Sequence, residues 1–136
     1  MKKFVALLLM FSISLVLISC SVSWTDKEVK NARTVEITCY DRDVHKEAVR
    51  HIISDEKTVK RLCNTFTLLV VKRFKTTEPI EIAYSVAFLD ERGEIIEDVG
   101  VLAGCNVVQN EGKCYKITDD MDLNRYIKED ILQEFE

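Results

Sequence analysis

Apolar residues alternate with polar ones along much of the chain. Over 33–40, Val35, Ile37 and Cys39 fall on one face while Glu36, Thr38 and Tyr40 fall on the other. That period of two predicts a half-buried strand. A turn at Asp41-Arg42-Asp43 and a second strand over 46–53 follow. The clearest alternation runs over 80–90, where Ile80, Ile82, Tyr84, Val86 and Phe88 share a face. Asp90-Glu91-Arg92-Gly93 then reads as a hairpin turn, with Gly93 suited to positive φ, and 94–102 returns as a strand. Asn110-Glu111-Gly112 joins a further pair over 104–109 and 113–117.

Two stretches change the period from two to between three and four. After Ser54-Asp55-Glu56, Val59, Leu62, Cys63, Phe66 and Val70 line one side of a helix ending near residue 68. Ser54 suits its N-cap, and the two acids suit the positive end of its dipole. A last helix is expected over 120–135, with Leu123, Tyr126, Ile127, Ile131 and Phe135 inward. Residues 72–79, between the first helix and the long strand, read as the main interior loop. The order strand, strand, helix, four strands, helix predicts an α+β domain: an antiparallel sheet of five to six strands with two helices packed on one face.

The start of the chain has another character. Met1-Lys2-Lys3 is basic, and 4–18 is an uncharged run of fifteen residues. A basic head before a short apolar run is the pattern of an export signal, and the run is shorter than the roughly 20 residues a spanning helix needs. It closes on Leu17-Ile18-Ser19-Cys20, which resembles the lipobox of bacterial lipoproteins. That resemblance implies removal of 1–19, a diacylglycerol on the Cys20 thiol, and a chain held on a bacterial membrane facing the periplasm or the exterior. Residues 20–32 then read as the lipidated cysteine and a polar tether, with Trp24 placed either at the headgroups or against the domain. Residues 33–136 form a single domain. Ile53-Ser54-Asp55-Glu56-Lys57-Thr58-Val59, the run 84–93 and Tyr115-Lys116-Ile117 are similar to small uncharacterised lipoproteins of bacterial cell surfaces, a likeness that implies no activity.

Charge divides the exported part unevenly. Residues 21–75 carry twelve basic and eight acidic side chains, whereas 76–136 carry five and fifteen. Nucleic acid is not an expected partner of an exported chain without a basic face. The acidic half instead offers a surface to a basic protein of the envelope. One proline and four glycines argue against a low-complexity body.

Candidate chemistry is sparse. Cys39, Cys63, Cys105 and Cys114 remain beyond the anchor, and an even number outside the cytoplasm suggests bridges. Cys39 and Cys63 both point inward in this reading, so a Cys39–Cys63 bridge is expected. If Gln109 faces Lys113, Cys105 and Cys114 lie on opposite faces, and their pairing stays open. Ser54-Asp55-Glu56-Lys57 matches a Ser-x-x-Lys pattern, but the companion motifs of that chemistry are missing and helix capping accounts for the serine. Asp120-Met121-Asp122-Leu123-Asn124 opens like a calcium loop, yet Arg125 stands where glycine is needed and Ile131 where a bidentate Glu is needed. Asp119, Asp120 and Asp122 suit a helix start, with a weak cation site as the alternative. His45 and His51, the only histidines, have no metal-binding spacing. Lys72-Arg73-Phe74-Lys75 is a solvated loop, or on an anchored chain a contact for anionic headgroups. These residues predict no cofactor and a non-catalytic binding or accessory role, with small-ligand or cation binding as the alternative and a small envelope enzyme behind both.

Overall fold

The computed structural model describes residues 24–40 and 47–135; the expected export signal, Cys20, the expected turn at 41–43, His45 and Glu136 lie outside them. Seven strands form one antiparallel sheet in the order β2-β1-β4-β5-β6-β7-β3. They are β1 Thr34–Cys39, β2 Val49–Ile53, β3 Val71–Phe74, β4 Ile82–Leu89, β5 Ile95–Leu102, β6 Val107–Asn110 and β7 Lys113–Ile117. Helix α1 is Glu56–Thr67. The chain is therefore α+β with an antiparallel sheet, with more strands than the five to six expected.

The additional strand is β3. Its run Val-Lys-Arg-Phe does not alternate apolar with polar, which is why it reads as a loop. As an edge strand it needs only one neighbour, and it pairs antiparallel with β7, Val71 opposite Ile117 and Phe74 opposite Cys114. Edge strands tolerate lysines, which discourage pairing with other chains.

The core gathers on one side of the pleat. Val35 and Ile37 of β1, Val86 and Phe88 of β4, Val99 and Val101 of β5, and Val108 of β6 join Val59, Leu62, Cys63 and Phe66 of α1 in one cluster. The helical layer is less regular than two plain helices. A 310 turn, Lys27–Asn31, capped by Asp26, is a direct neighbour of α1. The C-terminal helix begins at Leu123–Arg125, continues as a π-helix at Tyr126–Ile131 and ends as a 310 turn at Leu132–Phe135. Its buried residues, Leu123, Ile127 and Ile131, recur at steps of four. Phe135, expected inward, is exposed and lies 5.9 Å from the His51 ring.

Local chemistry moved several other positions. Asp55, one residue beyond Ser54, is the N-cap of α1: it accepts from the Thr58 amide at 3.0 Å and from the Thr58 hydroxyl at 2.7 Å. Helix α1 stops at Thr67, so Val70 is exposed and Leu69 takes the buried place. Ile80 precedes β4 and is exposed. A register shift between Ile82 and Tyr84 turns Ile82 away from the core, over Gly100. The β6–β7 turn is two residues long, with Glu111 at φ +50° and Gly112 at φ +74°. Positive φ at both positions is the primed turn that matches strand twist. Asn110 consequently pairs with Lys113, and Gln109, not Val108, faces Cys114.

Candidate functional site

The most elaborate polar arrangement holds the first described residues. Trp24 is 5% exposed, its ring 6.3 Å from both Phe66 and Tyr115. Asn110 Nδ2 donates to the Trp24 carbonyl at 2.6 Å and to Glu97 Oε1, while the Asp26 amide donates to Glu97 Oε2. Glu97 and Asn110 are 8% and 7% exposed, so this carboxylate and amide are buried but satisfied. Two strands thus clamp the backbone of residues 24–26 while the indole fills the core beside them. Residues 24–32, expected as a tether, are packed on the domain: Val29 and Ala32 are buried too. Sequence reading missed Glu97 because it is charged. The signal was its phase, two and four residues before Val99 and Val101 on the same face.

Beside this clamp lies a basic edge. The Arg73 guanidinium sits 5.8 Å over the Tyr115 ring that Trp24 packs against. Lys72, Phe74 and Lys75 are exposed along β3 and just after it, and Lys113 and Lys116 along β7. Lys72 pairs with Lys116 across the two strands.

The aspartates lie at the other end of the β6–β7 hairpin and are occupied locally. Asp119 accepts from the Val70 amide at 3.3 Å and the Met121 amide at 3.1 Å, and Asp122 caps the C-terminal helix through the Arg125 amide at 3.2 Å. Among the described residues no group of three His, Cys, Asp or Glu side chains is placed to hold a metal ion, and Asp119 and Asp122 are engaged with backbone amides while Asp120 is exposed beside them. Asn106 fixes this end by donating to the Met121 carbonyl.

The remaining candidates do not converge. Ser54 and Lys57 are both exposed at the start of α1. His51 touches Phe135. Among the described residues Cys39, Cys63, Cys105 and Cys114 are each unbridged in this structure. Burial pushes the Cys39 and Cys63 thiols up from the ordinary range, which keeps them protonated and poorly nucleophilic at neutral pH. Cys114 is buried with Leu102 and Val107 in a small second cluster, and Cys105 is exposed in the turn between β5 and β6. Tyr84, opposite Cys39, is also raised, first by burial and then by the neighbouring thiol.

Among the described residues no helix is long and apolar enough to cross a membrane. Set against protein-family models, curated proteins and solved structures, the chain finds no match.

Proposed function

We propose that the chain is a membrane-anchored envelope lipoprotein whose domain serves a non-catalytic binding or accessory role. The observation that carries this reading is Leu17-Ile18-Ser19-Cys20 at the end of a short apolar run behind a basic head. Trp24, four residues after Cys20, is already buried in the domain, so the domain would stand close to a lipid on Cys20. The binding role is supported by the scatter of reactive groups and by the acidic half. Asp119, Asp120, Asp122, Glu129, Asp130 and Glu134 are exposed around the C-terminal helix. They offer a surface of one dominant sign to a basic envelope protein.

Two measurements test this. Intact-mass analysis of the mature protein from its native membrane is expected to show lipid on Cys20; an unmodified Cys20 would remove the anchor. Crosslinking in intact cells is expected to capture one protein in near-equal amount. Neutralising Asp119, Asp120 and Glu129 together should abolish that capture. If it is unchanged, the acidic surface is not the contact.

A further inference from the structure

We propose that the edge built from β3 and the β6–β7 hairpin is a second membrane contact, with Lys72, Arg73, Phe74, Lys75 and Lys113 resting on anionic lipid headgroups. The inference rests on the lipid anchor at Cys20 and adds to it an orientation of the domain.

Trp24 follows Cys20 by four residues, and four residues extend at most about 14 Å. Because Trp24 is clamped by Asn110 and buried against Tyr115, this reach is counted from a fixed point on the domain. The domain is therefore kept beside the bilayer, and whatever surrounds Trp24 is brought nearest to it.

Part of what surrounds it is the basic edge, with Arg73 on the Tyr115 face beside Trp24 and Lys72 and Phe74, opposite Lys116 and Cys114, on the other face of the same edge. Tyr115 has Trp24 on one side and the Arg73 guanidinium 5.8 Å from its ring centre. Strand β3 runs toward the Glu111–Gly112 turn, since Phe74 pairs with Cys114, the residue next to Lys113. Asn110, which holds Trp24, closes the same turn. Among the described residues Lys72, Lys75 and Lys113 are in no ion pair, so their charge is available to a partner. Phe74, 36% exposed between them, supplies the apolar contact that interfacial segments combine with basic ones. Glu111 at the tip opposes them, but the edge remains positive.

Strand β6 runs from the Asn106 end to the Asn110 end, and β7 returns to Ile117 and the aspartates at 119–122. The acidic cluster lies at the other end of the hairpin, where Asp119 accepts from the Val70 amide two residues before Lys72, so Lys75 and Lys113 at the turn are the charges set farthest from it. An anionic surface attracts one end and repels the other, reinforcing the orientation that the short connection imposes. Screening confines this to the near edge, since the Debye length is about 8 Å at physiological salt.

The test uses the full mature lipoprotein, with lipid on Cys20 first verified by mass spectrometry. It is reconstituted in vesicles of phosphatidylcholine alone, or of phosphatidylcholine with phosphatidylglycerol, and lysine acylation rates are read by mass spectrometry. Lys72, Lys75 and Lys113 are expected to be protected in anionic vesicles only, with Lys57 and Lys128 unchanged as internal controls. Each charge removed should lower the docked-to-undocked ratio about fivefold. Lys72→Gln with Lys75→Gln should therefore abolish protection of Lys113, with an unchanged melting curve showing that the fold survives. Equal labelling in both vesicle types, with Cys20 lipidated, overturns the proposal and leaves the anchor standing. So does protection in intact cells without protection in vesicles, which would assign the edge to a protein partner. A Cys20 without lipid overturns both readings.

Discussion

Replacing Trp24 by alanine separates a tether from an integral part of the fold. The indole is buried against Phe66 and Tyr115, and its loss opens a cavity in the main core. Removal of a buried Trp or Phe side chain costs about 3–5 kcal/mol. One feature reduces that figure here: Trp24 Nε1 is buried without an acceptor among the described residues. A buried donor left unmade costs about 1–3 kcal/mol, and alanine removes it. The net loss for Trp24→Ala is then about 2 kcal/mol, a fall in Tm of roughly 8 °C for a domain near this size. Trp24→Phe keeps a ring in the pocket and sheds the same donor, so its loss should stay within about 1.5 kcal/mol.

The assay is thermal and urea unfolding followed by circular dichroism on the wild type and both variants. Trp24 is the only tryptophan, so wild-type fluorescence reports this site alone. Its emission change should coincide with the loss of secondary structure. If Trp24→Ala unfolds with the wild type, or the fluorescence change precedes global unfolding, the segment is not part of the core. If phenylalanine costs as much as alanine, the indole N–H is not an uncompensated donor and the offset is wrong.

Glu97→Ala and Asn110→Ala each strip partners from the clamp and should cost about 1–3 kcal/mol in urea unfolding. The double variant should cost less than their sum, because both hold the same backbone. Asp55 is held below the usual carboxylate value first by the Thr58 hydroxyl and then by the Thr58 amide. A depressed folded value means that stabilisation is present above the unfolded value of 3.8 and is lost as pH falls through the lower one. Asp55→Ala should therefore lower Tm at neutral pH, with the gap from wild type closing only below about pH 4. Alkylation of the native protein should modify Cys105 first, Cys39 more slowly, and Cys63 and Cys114 only on unfolding, with all four reactive in denaturant. Fewer than four would mean that a bridge forms.

What the sequence disclosed follows from how strongly each segment depends on its own pattern. Strands β4 and β5 are flanked on both sides and bury one face, so alternation is imposed on them and can be read. Strand β3 lies at an edge with a single partner, and nothing requires Lys72 or Arg73 to be apolar; its pairing with β7 is a long-range fact. The π-helical stretch leaves no mark in the sequence, since buried residues at steps of four are also what an ordinary amphipathic helix shows. For the clamp, composition misled: Trp24 and Glu97 are unlike neighbours in a polar segment and a strand, and only folding brings them to Asn110. The β6–β7 register turned on one residue. A two-residue turn at Glu111–Gly112 in place of a three-residue one changed the partner of Cys114 from Val108 to Gln109, and the cysteine geometry with it.

The clamp bears on what the acidic half can reach. With lipid on Cys20, about 14 Å of chain joins the bilayer to Trp24. A domain of this size is roughly 35 Å across, given a radius of gyration near 13 Å for about 100 residues. A partner engaged through Asp119, Asp120 and Asp122 must then present its basic surface within about 50 Å of the membrane. A flexible tether over 20–32 would have relaxed that limit by about 30 Å, nine further residues at up to 3.6 Å each. Under the proposed anchor, burying Trp24 withholds this slack and sets which end of the sheet faces outward. Two of these aspartates, Asp119 and Asp122, are committed to the amides of Val70, Met121 and Arg125, so they present their charge on a fixed frame. Short reach and a fixed acidic end together favour a partner that is itself confined to the membrane surface. Weakening the clamp by Glu97→Ala should then reduce crosslinking to that partner even though no acidic surface residue has changed. If capture persists undiminished while residues 24–26 are released, the fixed orientation is not what selects the partner.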